Sequence, residues 1–302
     1  MPEVGGPIDE APFLLATGLR SPEGPLLLPD GTWLVTELDP ERGRVTEVLA
    51  DGGLRPVART GRPNGLALAA DGALWVAESR DAALIRLERD GAFTAELEAI
   101  DGVPLLWPND LCFGPDGALY ATDSGILVED FLLDGAPRPD CLDLPVDGRV
   151  IRFDPGGGAA TFLDRGLKFP NGIAFGPDGL LYVNETYTGD VLRYRLDADD
   201  GAGPPEVFGN VIDPDRTVES LCGPDGMAFS DDGRLWVGVL GQGDITVLDR
   251  GGAVERRIDL PGTYPTNVAF GAPGEGRIYV VEEDRGSLES RRVGAEGLPL
   301  HG

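Results

Sequence analysis

The chain has one histidine, His301, and three cysteines, Cys112, Cys141 and Cys222, among 302 residues. With a single histidine beside Gly302, expected in a mobile C-terminal tail, neither a Ser-His-Asp triad nor a Cys-His pair has its base. The cysteines are scattered without metal-ligand spacing and read as reduced thiols of a cytoplasmic protein. Basic residues are scarce as well: 25 Lys and Arg face 52 Asp and Glu, a formal net charge of -27. That balance argues against nucleic acid or an anionic membrane surface as partner. No apolar run approaches the roughly 20 residues of a membrane span, and Met1 to Ala16 lacks a basic start followed by an apolar stretch. Helical periodicity is nearly missing. There is no phosphate-cradling or dinucleotide-binding glycine motif, since Gly156-Gly157-Gly158 falls in a turn between strands.

Glycine and proline are abundant, at 45 and 26, as a fold of short strands and tight turns requires. They are arranged in a repeat. Six segments open on the same device: Pro22-Glu23-Gly24, Pro63-Asn64-Gly65, Pro108-Asn109-Asp110, Pro170-Asn171-Gly172, Pro224-Asp225-Gly226 and Pro265-Thr266-Asn267. The first five reach an Asp-Gly pair eight residues after the proline, at Asp30, Asp71, Asp116, Asp178 and Asp232. Asp-Gly between apolar runs is a strong hairpin signal. An aromatic-marked strand follows each turn, for example Trp33-Leu34-Val35 and Leu181-Tyr182-Val183.

Successive motif prolines stand 41, 45, 62, 54 and 41 residues apart. A four-stranded propeller blade takes about 40–45 residues, so the third and fourth repeats carry insertions. The third, near Gly125 to Asp147, is expected as a loop or hairpin over one face. The sequence therefore predicts an all-β fold spanning residues 1–302 as one domain: a six-bladed β-propeller of four-stranded antiparallel blades around a central channel. Leu288 to Val293 supplies the third strand of the sixth blade, and Phe13-Leu14-Leu15 is expected to close the ring as its outermost strand.

In a propeller, equivalent positions lie on a ring around the axis. The residue after each motif proline, at the start of the innermost strand, is in turn Glu23, Asn64, Asn109, Asn171, Asp225 and Thr266. Each carries a side-chain oxygen. One such residue is commonly a turn-former, but six in register point to a shared metal site. Carboxylates and amide carbonyls are hard oxygen donors suited to Ca2+ or Mg2+, with Mn2+ or Zn2+ as possible substitutes; no His or Cys holds a ring position as zinc prefers.

These motifs resemble the SMP-30/gluconolactonase/luciferin-regenerating enzyme (LRE) family of six-bladed propellers. The likeness runs from Ser21-Pro22-Glu23-Gly24-Pro25 to the last blade. It is most specific at Trp107-Pro108-Asn109-Asp110, Phe169-Pro170-Asn171-Gly172 and Gly223-Pro224-Asp225-Gly226. The resemblance implies that Glu23, Asn171 and Asp225 bind calcium and that Asn109 touches metal or substrate. It further implies a metal-dependent lactone hydrolase in which Asp225 is also the general base. Asp123, Asp110 and Tyr187 are candidate pocket-lining residues, with strand capping and loop packing as the other reading. Where sugar-lactone members often carry an arginine, this chain has Trp107, a stacking wall for a less polar lactone or ester, or a packed loop residue. Hydrolysis of phosphotriesters, a non-catalytic calcium-binding propeller and amine–aldehyde condensation, as in strictosidine synthases, are the competing readings. The expected partner is a small lactone or ester, and the expected state a monomer or simple homo-oligomer.

Overall fold

The computed structural model describes residues 13–197, 201–216 and 221–302. Six four-stranded antiparallel sheets follow one another along the chain and form the six blades of a propeller. Their innermost strands are Pro22–Leu27, Pro63–Leu68, Pro108–Phe113, Pro170–Phe175, Gly223–Phe229 and Pro265–Phe270. Five blades are simple meanders in which each strand pairs with the next, apart from the insertion in blade 3. The sixth is composite: Phe13–Thr17 pairs antiparallel with Ser287–Arg292, so the N-terminal strand closes the ring as expected.

Each Asp-Gly turn works as its sequence implies. The five glycines Gly31, Gly72, Gly117, Gly179 and Gly233 all adopt φ between 75° and 88°, a region costly for residues bearing a Cβ. The core is not one central cluster but a series of wedges between neighbouring blades. Trp75 and Ala67 of blade 2 meet Phe113, Ile151 and Phe153 of blade 3. Tyr182 of blade 4 meets Phe229 and Val237 of blade 5. Trp33 and Val35 of blade 1 meet Tyr279 and Leu288 of blade 6. Burying such a side chain contributes roughly 1.5–3 kcal/mol, and the wedges fix each blade's angle to the axis.

The blade 3 insertion contains a helical turn (Val128–Phe131), a small hairpin (Leu132–Leu133 with Ala136–Pro137) and a 3-10 turn (Cys141–Asp143). It packs on the motif face, where Ile126, Phe131 and Cys141 join Trp107, Phe169 and Leu221 in one apolar cluster. The opposite face carries the C-terminal segment. Leu298 N–H donates to Phe229 O at 2.9 Å, and the His301 ring packs edge-on against Phe175 at 6.0 Å. The expectation of a mobile tail is thus corrected: the aromatic ends of the inner strands give these residues an apolar seat. A cleft of about 710 Å³ opens on this back face, lined by Asp71, Trp75, Arg86, Phe113 and His301 among others, and no ring residue lines it.

Candidate metal and substrate site

In all six blades the register of the innermost strand against its neighbour shifts just after the motif begins: near Glu23, Pro63, Pro108, Pro170, Pro224 and Pro265. A bulge at that point bends the strand and re-aims its side chains. It sets Glu23, Asn64, Asn109, Asn171, Asp225 and Thr266 at equivalent places, and all six are buried.

Hydroxyls from the next strand tie this ring across blade boundaries. Asn109 Nδ2 donates to Ser124 Oγ at 3.0 Å, and Ser124 Oγ donates to Pro170 O at 3.1 Å. One blade on, Asn171 Nδ2 reaches Thr186 Oγ1 at 3.4 Å, and that hydroxyl donates to Pro224 O at 2.9 Å. Thr266 Oγ1 donates to Pro22 O at 2.7 Å, which joins blade 6 to blade 1. Thr266 is therefore a joint of the ring. In Asn109 and Asn171 the amide nitrogens are the engaged ends, which leaves the carbonyl oxygens as free hard donors.

The next motif position forms a second layer: Gly24, Gly65, Asp110, Gly172, Gly226 and Asn267. Gly65 and Gly226 make room for the side chains of Asp110 and Asn267, while Gly24 and Gly172 lie against the backbone carbonyls of Asn64 and Asp225. A Cβ on Gly65 would lie 2.3 Å from Asp110 Oδ1, and one on Gly226 would lie 2.0 Å from Asn267 Cγ. Asn267 Nδ2 donates to Glu23 Oε2 at 3.2 Å, and the same side chain hydrogen-bonds Asp110. Reading only the residue after each proline misses Asn267; reading the following position in register finds it.

Three carboxylates thus share the channel. Burial pushes Glu23 well above the ordinary carboxylate range, and the charges of Asp110 and Glu283 add to the shift. Asp225 is driven up first by burial, then by the charges of Glu23, Asp110 and Glu283. Burial also raises Asp110, to about 7. Among the described residues none of the three has a cationic partner within ion-pair distance. Buried like charges without compensation are costly, and a bound cation is the direct remedy. The donors fit a hard divalent ion: two carboxylates of the ring, two free amide oxygens, and no sulfur or imidazole. No three His, Cys, Asp or Glu side chains among the described residues form a metal cluster on their own, so amide oxygens are needed to complete the set.

Other candidates from the sequence have different surroundings. Asp123 is fully buried. Its oxygens accept from Leu106 N–H at 2.9 Å, Trp107 N–H at 3.0 Å, Gly125 N–H at 2.9 Å and Arg149 Nη1 at 3.3 Å. This is a repeated architectural device. Glu37, Glu78, Glu185 and Glu282, each at the end of a second strand, likewise accept the N–H of a residue just before the motif proline. Asp123 is the blade 3 copy and braces the loop that carries Trp107. Tyr187, a candidate for either the pocket wall or loop packing, donates its hydroxyl to Cys141 O at 2.7 Å and stacks its ring on Phe169 at 5.2 Å, so it anchors the insertion. Trp107 is 5% exposed. It packs edge-on against Phe131 and Phe169, each at 5.4 Å, so burial rather than an open stacking face describes it.

The family model described as SMP-30/Gluconolactonase/LRE-like region matches residues 21–283. The chain belongs to this family. Within it, a gluconolactonase of Zymomonas mobilis is 26% identical over 292 residues, 90% of this chain and 78% of that protein. A solved gluconolactonase from Xanthomonas campestris is 25% identical with a TM-score of 0.76, over 92% of this chain and 88% of that one. Similarity also extends to the strictosidine synthase-like 3 protein of Arabidopsis thaliana, 32% identical over 184 residues. That match takes in 59% of this chain and only 43% of the plant protein's length. Among the described residues no helix is long and apolar enough to cross a membrane.

Proposed function

We propose that the protein is a divalent-metal-dependent lactone hydrolase, with calcium as its natural ion. The observation that carries this reading is the group of buried, uncompensated channel carboxylates ringed by free amide oxygens. The similarity to two gluconolactonases supports the reaction class. Glu23, Asn171 and Asp225 would hold the ion, with Asn109 as a fourth donor or as a contact to substrate. When bound, such an ion supplies a Lewis acid for the ester carbonyl.

The chain's own residues supply the rest. Asp225, buried on the ring, takes a proton from the attacking water onto its carboxylate. Asn171, within hydrogen-bonding reach of that carboxylate, fixes its orientation. Asn267 holds Glu23 in place through its 3.2 Å hydrogen bond. The apolar cluster of the insertion with Trp107 and Phe169 shields one side of the channel mouth from bulk water. The free cysteines Cys112, Cys141 and Cys222 suit a reducing, cytoplasmic setting.

Proton release from a panel of sugar, aliphatic and aromatic lactones, first with chelator and then with calcium restored, tests the reading. Turnover that is abolished by chelator and returns with metal supports it. No turnover from protein that has bound calcium would leave a non-catalytic metal-binding propeller.

A further inference from the structure

The six residues immediately before the motif prolines are Ser21, Arg62, Trp107, Phe169, Gly223 and Tyr264. They form the rim above the ring, and Arg62 is its one cation. Its main chain is fixed twice over: its N–H donates to Glu78 Oε1 at 2.6 Å, and its carbonyl accepts from Ser79 Oγ at 2.8 Å. The guanidinium carbon lies 4.8 Å from the centre of the Trp107 ring, a cation–π contact that sets the fork over the indole. Arg62 therefore covers Trp107, and at the boundary of blades 2 and 3 the rim presents an arginine where the sequence suggested an indole wall.

Arg62 is unusual in how little of its hydrogen-bonding capacity the protein uses. Nη1 donates to Ser79 Oγ at 3.1 Å. No carboxylate among the described residues lies within 4.0 Å of the group, whereas Arg149 in the next blade pairs with both Asp123 and Asp147. Burial pulls Arg62 down to about 10, against the pull of Glu283, Glu78 and Glu23, so it stays charged at neutral pH. A guanidinium carries five N–H donors in a rigid planar fork. Here most of them lack a protein acceptor, in a residue that is half-buried at the channel mouth and two positions from ring residue Asn64. A pinned, charged and mostly unspent fork is built to receive oxygen atoms from a ligand.

We propose that Arg62 is the specificity-determining residue of the site, its guanidinium binding the oxygen substituents of a lactone on the side away from the scissile ester. This rests on the lactonase reading and refines it. Recognition of polar substituents would then lie in blade 2, with Trp107 as the packed loop residue beneath Arg62.

The test compares wild type, Arg62→Gln and Arg62→Lys, all calcium-loaded, on three substrates. These are glucono-δ-lactone, which bears hydroxyls; D-saccharic acid 1,4-lactone, which bears a free carboxylate beside its lactone; and δ-valerolactone, which bears neither. Arg62→Gln is expected to lower kcat/KM on the substituted lactones by about tenfold or more, mainly through KM, while δ-valerolactone changes by less than about twofold. Arg62→Lys should restore the carboxylate-bearing substrate if charge is recognised, and neither substituted one if the planar fork is. Equal losses on all three substrates, or none, would overturn the proposal. Arg62→Met keeps the stem over Trp107 and replaces Arg62→Gln if that variant does not fold. If wild type hydrolyses no lactone, the lactonase reading fails and binding decides the fate of Arg62. Sodium gluconate titrated against tryptophan fluorescence should then saturate in wild type and not in Arg62→Gln; no saturable signal in wild type would sink the role of Arg62 as well.

Discussion

Glu23 and Glu37 lie on paired strands of blade 1, where Glu23 faces Thr36 and Pro22 faces Glu37. Both are buried, and their chemistry is opposite. Burial pushes Glu37 up, but hydrogen bonds from Thr46, Arg44, Arg42 and the Arg20 N–H outweigh it and hold the carboxyl below its ordinary value. Arg42 Nη1 lies 2.5 Å and Arg44 Nε 2.7 Å from its oxygens. Glu23 has only the Gly24 N–H at 2.9 Å and Asn267 at 3.2 Å, with other carboxylates nearby, and goes the other way. One residue type in one blade thus gives a structural brace when donors surround it, and a cation-seeking ligand when they do not. Burial poses the problem in both places; the donors decide whether the protein or a ligand solves it.

Removing the demand in the channel should have the largest effect. Asp225→Asn is expected to cost about a thousandfold or more in kcat/KM on any lactone, since ligand charge and base are both lost. In chelator its melting temperature should equal or exceed that of wild type, because a buried like charge has gone. A variant with full turnover would remove Asp225 from the mechanism.

Filling the demand should be next. Calcium should raise the melting temperature of wild type as any ligand of the native state does. Glu23→Gln should lose most of that rise while its metal-free melting point holds. A calcium shift unchanged in Glu23→Gln would place the ion elsewhere.

The brace should behave in the reverse sense. Glu37→Gln is expected to cost about 2–3 kcal/mol of stability, with lactone kcat/KM within about twofold of wild type. Its stabilising contribution exists above its unfolded pKa and fades as pH falls through the lowered folded value. Denaturant midpoints at pH 7 and pH 3 would test this: the gap between variant and wild type should narrow at the lower pH.

The smallest and most discriminating effect concerns the copy of this brace in blade 6. Glu37 pairs across the strands with Arg44, and Asp123 with Arg149, but Glu282 pairs with Ser287. Without an arginine, burial and the neighbouring Asp284 raise Glu282 to about 8, despite N–H groups from Tyr264 and Arg285. For a raised carboxyl the sign is inverted. Its contribution is complete below about pH 4.5 and is lost as pH rises through about 8. Glu282→Gln should therefore flatten the decline of stability between pH 5 and 8, as read from denaturant midpoints across that range. Parallel profiles for variant and wild type would show that Glu282 is as well satisfied as Glu37.

The blade number, the closing strand and the ring residues were all legible in the chain, because each rests on a local signal repeated six times. Asp-Gly needs its positive φ wherever it falls, and equivalent repeat positions must be equivalent in space. Four residues had roles that were not legible. Asp123 looks like a channel acid until its four donors are seen, although its register with Glu37, Glu78, Glu185 and Glu282 was present in the sequence. Tyr187 and Trp107 are placed by a non-repeating insertion, whose packing no periodicity encodes. Arg62 looks like any surface arginine, and only the approach of blade 2 to blade 3 lays it on Trp107 without a carboxylate in reach. The repeat, by itself, determined where oxygen-bearing side chains gather. Which of them are already satisfied depends on hydrogen-bond partners dozens of residues away, and the tertiary structure alone brings those together.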